Sequence, residues 1–140
     1  MPQTPFLTVD CVIFKSDSVL LIKRRNEPHK GCYALPGGFV DIGETVEQAC
    51  SRELKEETGV MVNPEKLKLI GVYSDSARDE RFHSVSIAFM GESSLAFLQA
   101  GDDAIAAELV KNWRDIDIAF DHKQIIVDAF NMKEQLKKSL

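Results

Sequence analysis

Three glutamates, Glu53, Glu56 and Glu57, stand at i, i+3 and i+4 in the stretch SRELKEETGV. On a helix these spacings make neighbours of like charges, which costs roughly 0.2–0.5 kcal/mol per pair. At about 100° per residue from Val46, the residues Ala49, Cys50 and Leu54 fall at about −60°, 40° and 80° and define an apolar stripe. Glu53 and Glu57 fall inside that stripe, at about −20° and 20°. Glu47, Gln48, Ser51 and Lys55 take the opposite, solvent-facing side. Unpaired charge on a buried face is very costly, so acids placed there need cations. Arg52 lies four residues before Glu56, but one arginine does not neutralise three carboxylates. A divalent metal does, and an all-oxygen ligand set favours Mg2+ or Mn2+ over zinc. Such a site can hold a small anionic ligand, which a metal and local cations neutralise.

The elements that must position these acids are marked in the chain. Thr45 followed three residues on by Gln48 is a capping-box pattern, and Gly59 is placed for a left-handed helix end. A second helix is expected from Asp121, with Gln124 at the box position, through Ile125, Ile126, Ala129 and Phe130. Lys133, Lys137 and Lys138 suit its C-terminus, and it reads as structural. FLTVDCVIF (6–14) and VLLIKR (19–24) are β-rich runs around the turn-like KSDS, a hairpin pattern. Shorter strands are expected at 67–73, 84–90 and 106–111, in a mixed sheet. In YALPGGFV, Pro36 bends the chain, and Gly37 and Gly38 let the backbone approach a ligand closely.

Composition narrows the function class. The 140 residues, 44% hydrophobic and 28% charged, read as a single domain over 1–140, without a low-complexity linker or internal repeat. A net charge of −5 argues against a nucleic-acid polymer as partner, because such binders carry a basic stripe. A small anionic ligand held by local cations and a metal remains compatible, as does a homodimer. Cys11, Cys32 and Cys50 show no C-x-x-C spacing and read as buried reduced thiols. MPQTPFLTVD has no signal-peptide character and no apolar run reaches about 18 residues, so a cytoplasmic protein that does not enter the membrane is expected.

Residues 38–60 match G-x5-E-x7-R-E-U-x-E-E-x-G-U, where U is aliphatic, at every fixed position: Gly38, Glu44, Arg52, Glu53, Leu54, Glu56, Glu57, Gly59 and Val60. This resembles the Nudix box of the Nudix hydrolases. The resemblance implies an α/β fold, an α/β/α sandwich around a mixed β-sheet, and Mg2+-dependent hydrolysis, with Mn2+ as substitute, of a nucleoside diphosphate linked to another moiety. It implies metal held by Glu53, Glu56 and Glu57 with the Gly37 carbonyl, and acids oriented by Arg52 and Glu44. ALPGGFV, GVYSDSARDERFHSVSIAF, GDDA and AFDHKQII are similar to the ADP-ribose pyrophosphatase branch. That branch carries prolines where this chain has Ser76 and Glu80, so a looser recognition loop and broader substrate choice are expected. A glutamate common after DDA corresponds to Ala106 here.

Within the box Glu53 is the favoured general base. Glu92, Asp102, Asp103 and Glu108 are alternatives on loops or strand ends. Arg78, Arg81 and His83, on a polar segment with Asp79, are candidate substrate contacts, and Arg24 and Arg25 are candidate phosphate contacts opposite the PGG bend. His29 and His122 read as structural, and Trp113 as packing. The leading activity is cleavage of ADP-ribose to AMP and ribose 5-phosphate. Its alternatives are a nucleoside triphosphate pyrophosphohydrolase and a non-catalytic ADP-ribose sensor. The intact box and the absence of a DNA-binding segment argue against the sensor.

Overall fold

β1 (Phe6–Lys15) organises the molecule. Its residues from Val9 to Phe14 are all buried, which accounts for a nearly continuous apolar run rather than strict alternation. On one edge it pairs in parallel with β6 (Ser84–Glu92), from Phe6 opposite Ser84 to Phe14 opposite Glu92. Its other edge takes two antiparallel partners in succession. β4 (Gly37–Phe39) lies along Thr8 to Asp10, and β2 (Ser18–Lys23) closes the hairpin at Phe14 and Lys15. Between them Cys11 N donates to the Pro36 carbonyl at 2.9 Å. β3 (Tyr33–Ala34) and β7 (Ala107–Val110) pair with β2, and β5 (Lys68–Tyr73) pairs with β6, giving the order β3-β2-β1-β6-β5 with β4 on β1 and β7 on β2. This computed structural model describes residues 1–92 and 107–139.

Two helices cover the two faces of the mixed sheet. Alternate residues of β1 point to opposite sides, so Val9, Cys11 and Ile13 pack with Ala49, Cys50 and Leu54 of α1 (Val46–Thr58). Val12 and Phe14 pack on the other side with Trp113 and with Ile125, Ile126 and Ala129 of α2 (His122–Lys138). Fully burying an aliphatic side chain such as Leu54 contributes about 1.5–3 kcal/mol. The expected α/β/α sandwich is the fold observed.

The ends of α1 are those expected. Thr45 Oγ1 accepts the Gln48 amide at 3.1 Å, Gln48 Oε1 accepts the Thr45 amide at 2.9 Å, and Gly59 sits at φ 78°. The start of α2 differs. Asp121 makes no side-chain cap, because both its carboxylate oxygens are taken by Arg78. The cysteines also differ from expectation: Cys11 of β1 and Cys50 of α1 are joined as a disulfide, with Cα atoms 6.1 Å apart, and Cys32 is free. Alternation on β1 and the α1 stripe bring these two sulfurs into one core, a proximity that sequence spacing does not reveal. Trp113 is fully buried, with its Nε1 donating to the Asp17 carbonyl, and is packing as expected. Among the described residues no helix is long and apolar enough to cross a membrane.

Candidate functional site

The acids of α1 meet the Gly37–Gly38 strand as the helical wheel requires. Glu57 Oε1 accepts the Gly37 amide at 2.9 Å, and the carboxyls of Glu53 and Glu57 lie close enough to shift each other's titration. A Cβ added at Gly38 would lie 2.6 Å from Glu53 Oε1, and one at Gly37 would lie 2.1 Å from the Val9 carbonyl oxygen. Only glycine lets β4 lie between β1 and the acids. Burial pushes the Glu57 carboxyl up to about 8, with Glu53 and Asp10 adding to the rise and the Gly37 amide opposing it. Burial also pushes Glu53 up, against Glu57 and Arg52, which favour its charged form.

Arg52 gathers the remaining acids. Its Nε donates to Glu44 Oε2 at 2.7 Å and its NH2 to Glu44 Oε1 at 3.0 Å, while NH1 donates to Glu53 Oε1 at 2.9 Å and to Glu56 Oε2 at 3.2 Å. NH2 also reaches the Phe39 carbonyl at 3.0 Å. Hydrogen bonds from Arg52, and then from the Asp41 amide, hold the Glu44 carboxyl at about 2.

The donor set fits a hard divalent cation. Glu53 and Glu57 offer carboxylate oxygens on a partly buried surface, and the two glycines leave the adjoining main chain uncovered. Among the described residues no three His, Cys, Asp or Glu side chains are already gathered as a cage. Glu56 in particular is exposed and turned onto Arg52.

A cavity of about 460 Å³ opens beside these acids, its lining running from Glu57, Gly37 and Gly38 to Arg24, Arg25, Arg81, Phe82 and Phe120. Its floor is a buried network. Asp10 Oδ2 accepts from Ser86 Oγ at 2.5 Å and lies 3.6 Å from Arg78 NH2, while Asp10 Oδ1 lies 3.3 Å from His122 Nε2. Arg78 is fixed in two directions, by the Asp121 carboxylate at 2.7 and 2.9 Å and by Ser84 Oγ at 2.8 Å. Burial lowers the His122 pKa, with Asp10 opposing. The Leu35 amide donates to His122 Nδ1 at 3.0 Å, so the ring proton sits on Nε2 and faces Asp10. Both imidazole nitrogens are thereby engaged, and neither His122 nor Asp10 is placed to take a proton from a ligand.

The expected site residues are not all brought together. Arg24, Arg25, Arg78 and Arg81 line the cavity, but His83 is exposed and its Nε2 lies 3.0 Å from the Ser74 carbonyl oxygen. Arg81 is held to Asp79 at 2.7 and 3.0 Å, with its guanidinium 4.8 Å from the centre of the Phe82 ring and 5.8 Å from that of Phe120. Arg24 lies 4.8 Å over the other partner ring, Phe120. Glu108 pairs with Tyr33 Oη at 2.5 Å and, like Glu92, is absent from the cavity lining. Asp102, Asp103 and Ala106 lie outside the described residues.

The segment expected to be loose is braced. Asp75 accepts the Ala77 amide on its side chain and the Arg78 amide on its carbonyl, and Asp79 accepts the Arg81 amide. These bonds, two of them Asx-type, restrain the main chain around Ser76 and Glu80.

Sequence reasoning passed over Asp10, Ser86, Asp121, Phe82 and Phe120, and left His122 as structural. Asp10 carried a usable signal, since it is the one charge inside FLTVDCVIF. Phe120 did not. Its left-handed backbone, φ 56°, appears only once Ala119 N is bonded to the Tyr33 carbonyl and His122 N to the Ala119 carbonyl.

Comparison with known proteins adds relatives to this geometry. A NUDIX domain is matched over residues 4–135. The chain is 50% identical over 129 residues to the ADP-ribose pyrophosphatase of Methanocaldococcus jannaschii, covering 92% of this chain and 75% of that protein. It is 33% identical over 139 residues to the ADPR responsive transcriptional repressor NtrR of Acinetobacter baylyi, spanning 91% of this chain and 54% of the repressor. The NUDIX domain of Shewanella oneidensis NrtR, solved with ADP ribose, is similar at a TM-score of 0.82 and 30% identity, covering 96% of this chain and 90% of that one. A bifunctional NMN adenylyltransferase/ADP ribose pyrophosphatase from Francisella tularensis, solved with AMP and an Mn ion, is similar at 0.77 and 29% identity, covering 92% of this chain and 42% of that one.

Proposed function

The chain belongs to the Nudix hydrolase family, and on that premise we propose that it hydrolyses the pyrophosphate bond of ADP-ribose, giving AMP and ribose 5-phosphate. The observation that carries the proposal is one continuous cavity with Glu57 and bare glycines at one end and arginines and aromatic rings at the other. A relative half identical to this chain bears the name of that activity.

Glu53, Glu56 and Glu57, with the main chain at Gly37, would hold Mg2+ or Mn2+. When bound, the cation neutralises the two phosphates and lowers the proton affinity of the attacking water. Glu53 accepts the water proton, and Arg52 keeps the Glu53 carboxylate aimed while Glu44 keeps Arg52 extended. Arg24, Arg25 and Arg81 supply positive charge for the phosphates. Arg78 is buried between Asp121 and Asp10, so it braces the floor rather than binding substrate, whereas Arg81, though paired with Asp79, is exposed enough to face a ligand. Phe120 and Phe82 offer ring faces for the nucleobase, and stacking of this kind contributes about 1–3 kcal/mol per base. His83, outside the cavity, is not assigned a role.

Product analysis tests the reading. ADP-ribose cleaved in Mg2+ should give AMP and ribose 5-phosphate, with little release of inorganic pyrophosphate from nucleoside triphosphates. Triphosphates preferred by tenfold or more in kcat/KM, about 1.4 kcal/mol in transition-state binding, would overturn the substrate and leave the reaction class.

A further inference from the structure

We infer that His122 is a positioning residue for the Gly37 bend, acting through the Leu35 amide to set where the Gly37 amide meets Glu57; this rests on the reading of Glu57 as a metal-holding acid. The bend YALPGG is gripped by its main chain. The Tyr33 carbonyl accepts from Ala119 N at 2.8 Å, the Leu35 amide donates to His122 Nδ1 at 3.0 Å, and the Pro36 carbonyl accepts from Cys11 N at 2.9 Å. Pro36 has no N–H, so the donors of the bend on either side of it are Leu35 and Gly37. A side chain of α2 takes the first and a side chain of α1 takes the second.

The imidazole cannot drift from this post. It is buried, its Nε2–H is directed at Asp10 Oδ1, and Asp10 is held by Ser86 and faces Arg78, which Asp121 locks in turn. Ser84, Ser86, Asp10, Arg78 and Asp121 therefore register the N-terminus of α2 against β1 and β6, and His122 passes that register to the bend. With no free nitrogen lone pair, it acts on the reaction through backbone position alone. A displacement of about 1 Å in a positioning group can cost about a hundredfold in rate.

Three substitutions separate the two ring nitrogens. Asn places its carbonyl oxygen near the Nδ1 position and keeps an acceptor for Leu35, Gln places its amide near Nε2 and keeps a donor for Asp10, and Leu keeps neither. His122→Asn should retain kcat within about threefold, while His122→Gln and His122→Leu should each lose about tenfold or more in kcat with KM little changed. The Gly37 amide proton resonance should keep its position in His122→Asn and shift in the other two, and Mn2+ binding should weaken only where it shifts. All assays are run well below each variant's melting midpoint. An unmoved Gly37 resonance in the Gln and Leu variants, or an Asn variant as impaired as Leu, overturns the inference. If the wild-type protein leaves ADP-ribose intact, the substrate reading fails, while the Gly37 resonance and Mn2+ affinity still decide the role of His122.

Discussion

Arg52 and Glu44 face each other as a two-point pair, 2.7 and 3.0 Å, and the same guanidinium spends its remaining NH1 donors on Glu53 and Glu56. Glu44 thus fixes the arginine that fixes the acids. Lysine cannot reproduce this planar fork. Arg52→Lys and Glu44→Gln should each lower kcat by about tenfold to a hundredfold and shift the melting temperature little, since the pair is partly exposed. Steady-state kinetics with circular dichroism melts check this; a loss of stability matching the loss of rate would assign the pair to folding.

Removing charge from the acids should separate activity from stability. Glu56→Gln and Glu57→Gln should each lower kcat by orders of magnitude and weaken Mn2+ binding. The two differ without metal. Glu57 titrates at about 8 in the folded protein against about 4.3 when unfolded. Stability from its protonated form is fully present below the unfolded value and lost as pH rises through about 8. In EDTA, Glu57→Gln should therefore melt higher than wild type at pH 8, with the difference shrinking toward pH 5. A mutant that melts lower at pH 8 sinks this account, and unchanged turnover in EDTA sinks the metal.

The cavity arginines should behave unlike one another. Arg78 is buried between Asp10 and Asp121, and removing one partner of a buried pair costs about 3–5 kcal/mol, so Arg78→Ala should express poorly or melt far below wild type. Arg81, nearly half exposed on its side chain, should tolerate Arg81→Ala with normal folding and a raised KM for ADP-ribose. Equal effects in melts and kinetics would contradict the different environments of the two residues.

Cys50→Ala removes the link from α1 to β1 along with a buried sulfur. It should cost about 2–4 kcal/mol of stability and leave kcat at low temperature within about twofold of wild type. Thermal melts and turnover distinguish this from a catalytic thiol, for which activity would vanish while the fold persisted.

Much of this architecture is written locally in the chain. The capping box at Thr45, the stop at Gly59 and the acids inside the apolar stripe are short-range patterns, and each took its expected place. What escaped was long-range. Asp121 looked like a helix cap until Arg78, 43 residues away, claimed both its oxygens. His83 and Arg81 sit two apart in one polar run, yet only Arg81 faces the cavity. Cys11 and Cys50 meet only because a strand and a helix cross. Such pairings depend on where elements pack, which periodicity does not encode.

β1 gives one edge to two partners, β4 and then β2, and the cavity lies where they part. The width of that mouth is consequently a main-chain dimension, set by strand register and by glycines that no side chain can replace. Exposed residues on its walls are less constrained than the buried Arg78 and Asp10 of its floor. A lineage could exchange Phe120, Arg81 or Arg24 for other groups and acquire a different leaving moiety, keeping the acid end and its geometry as inherited machinery.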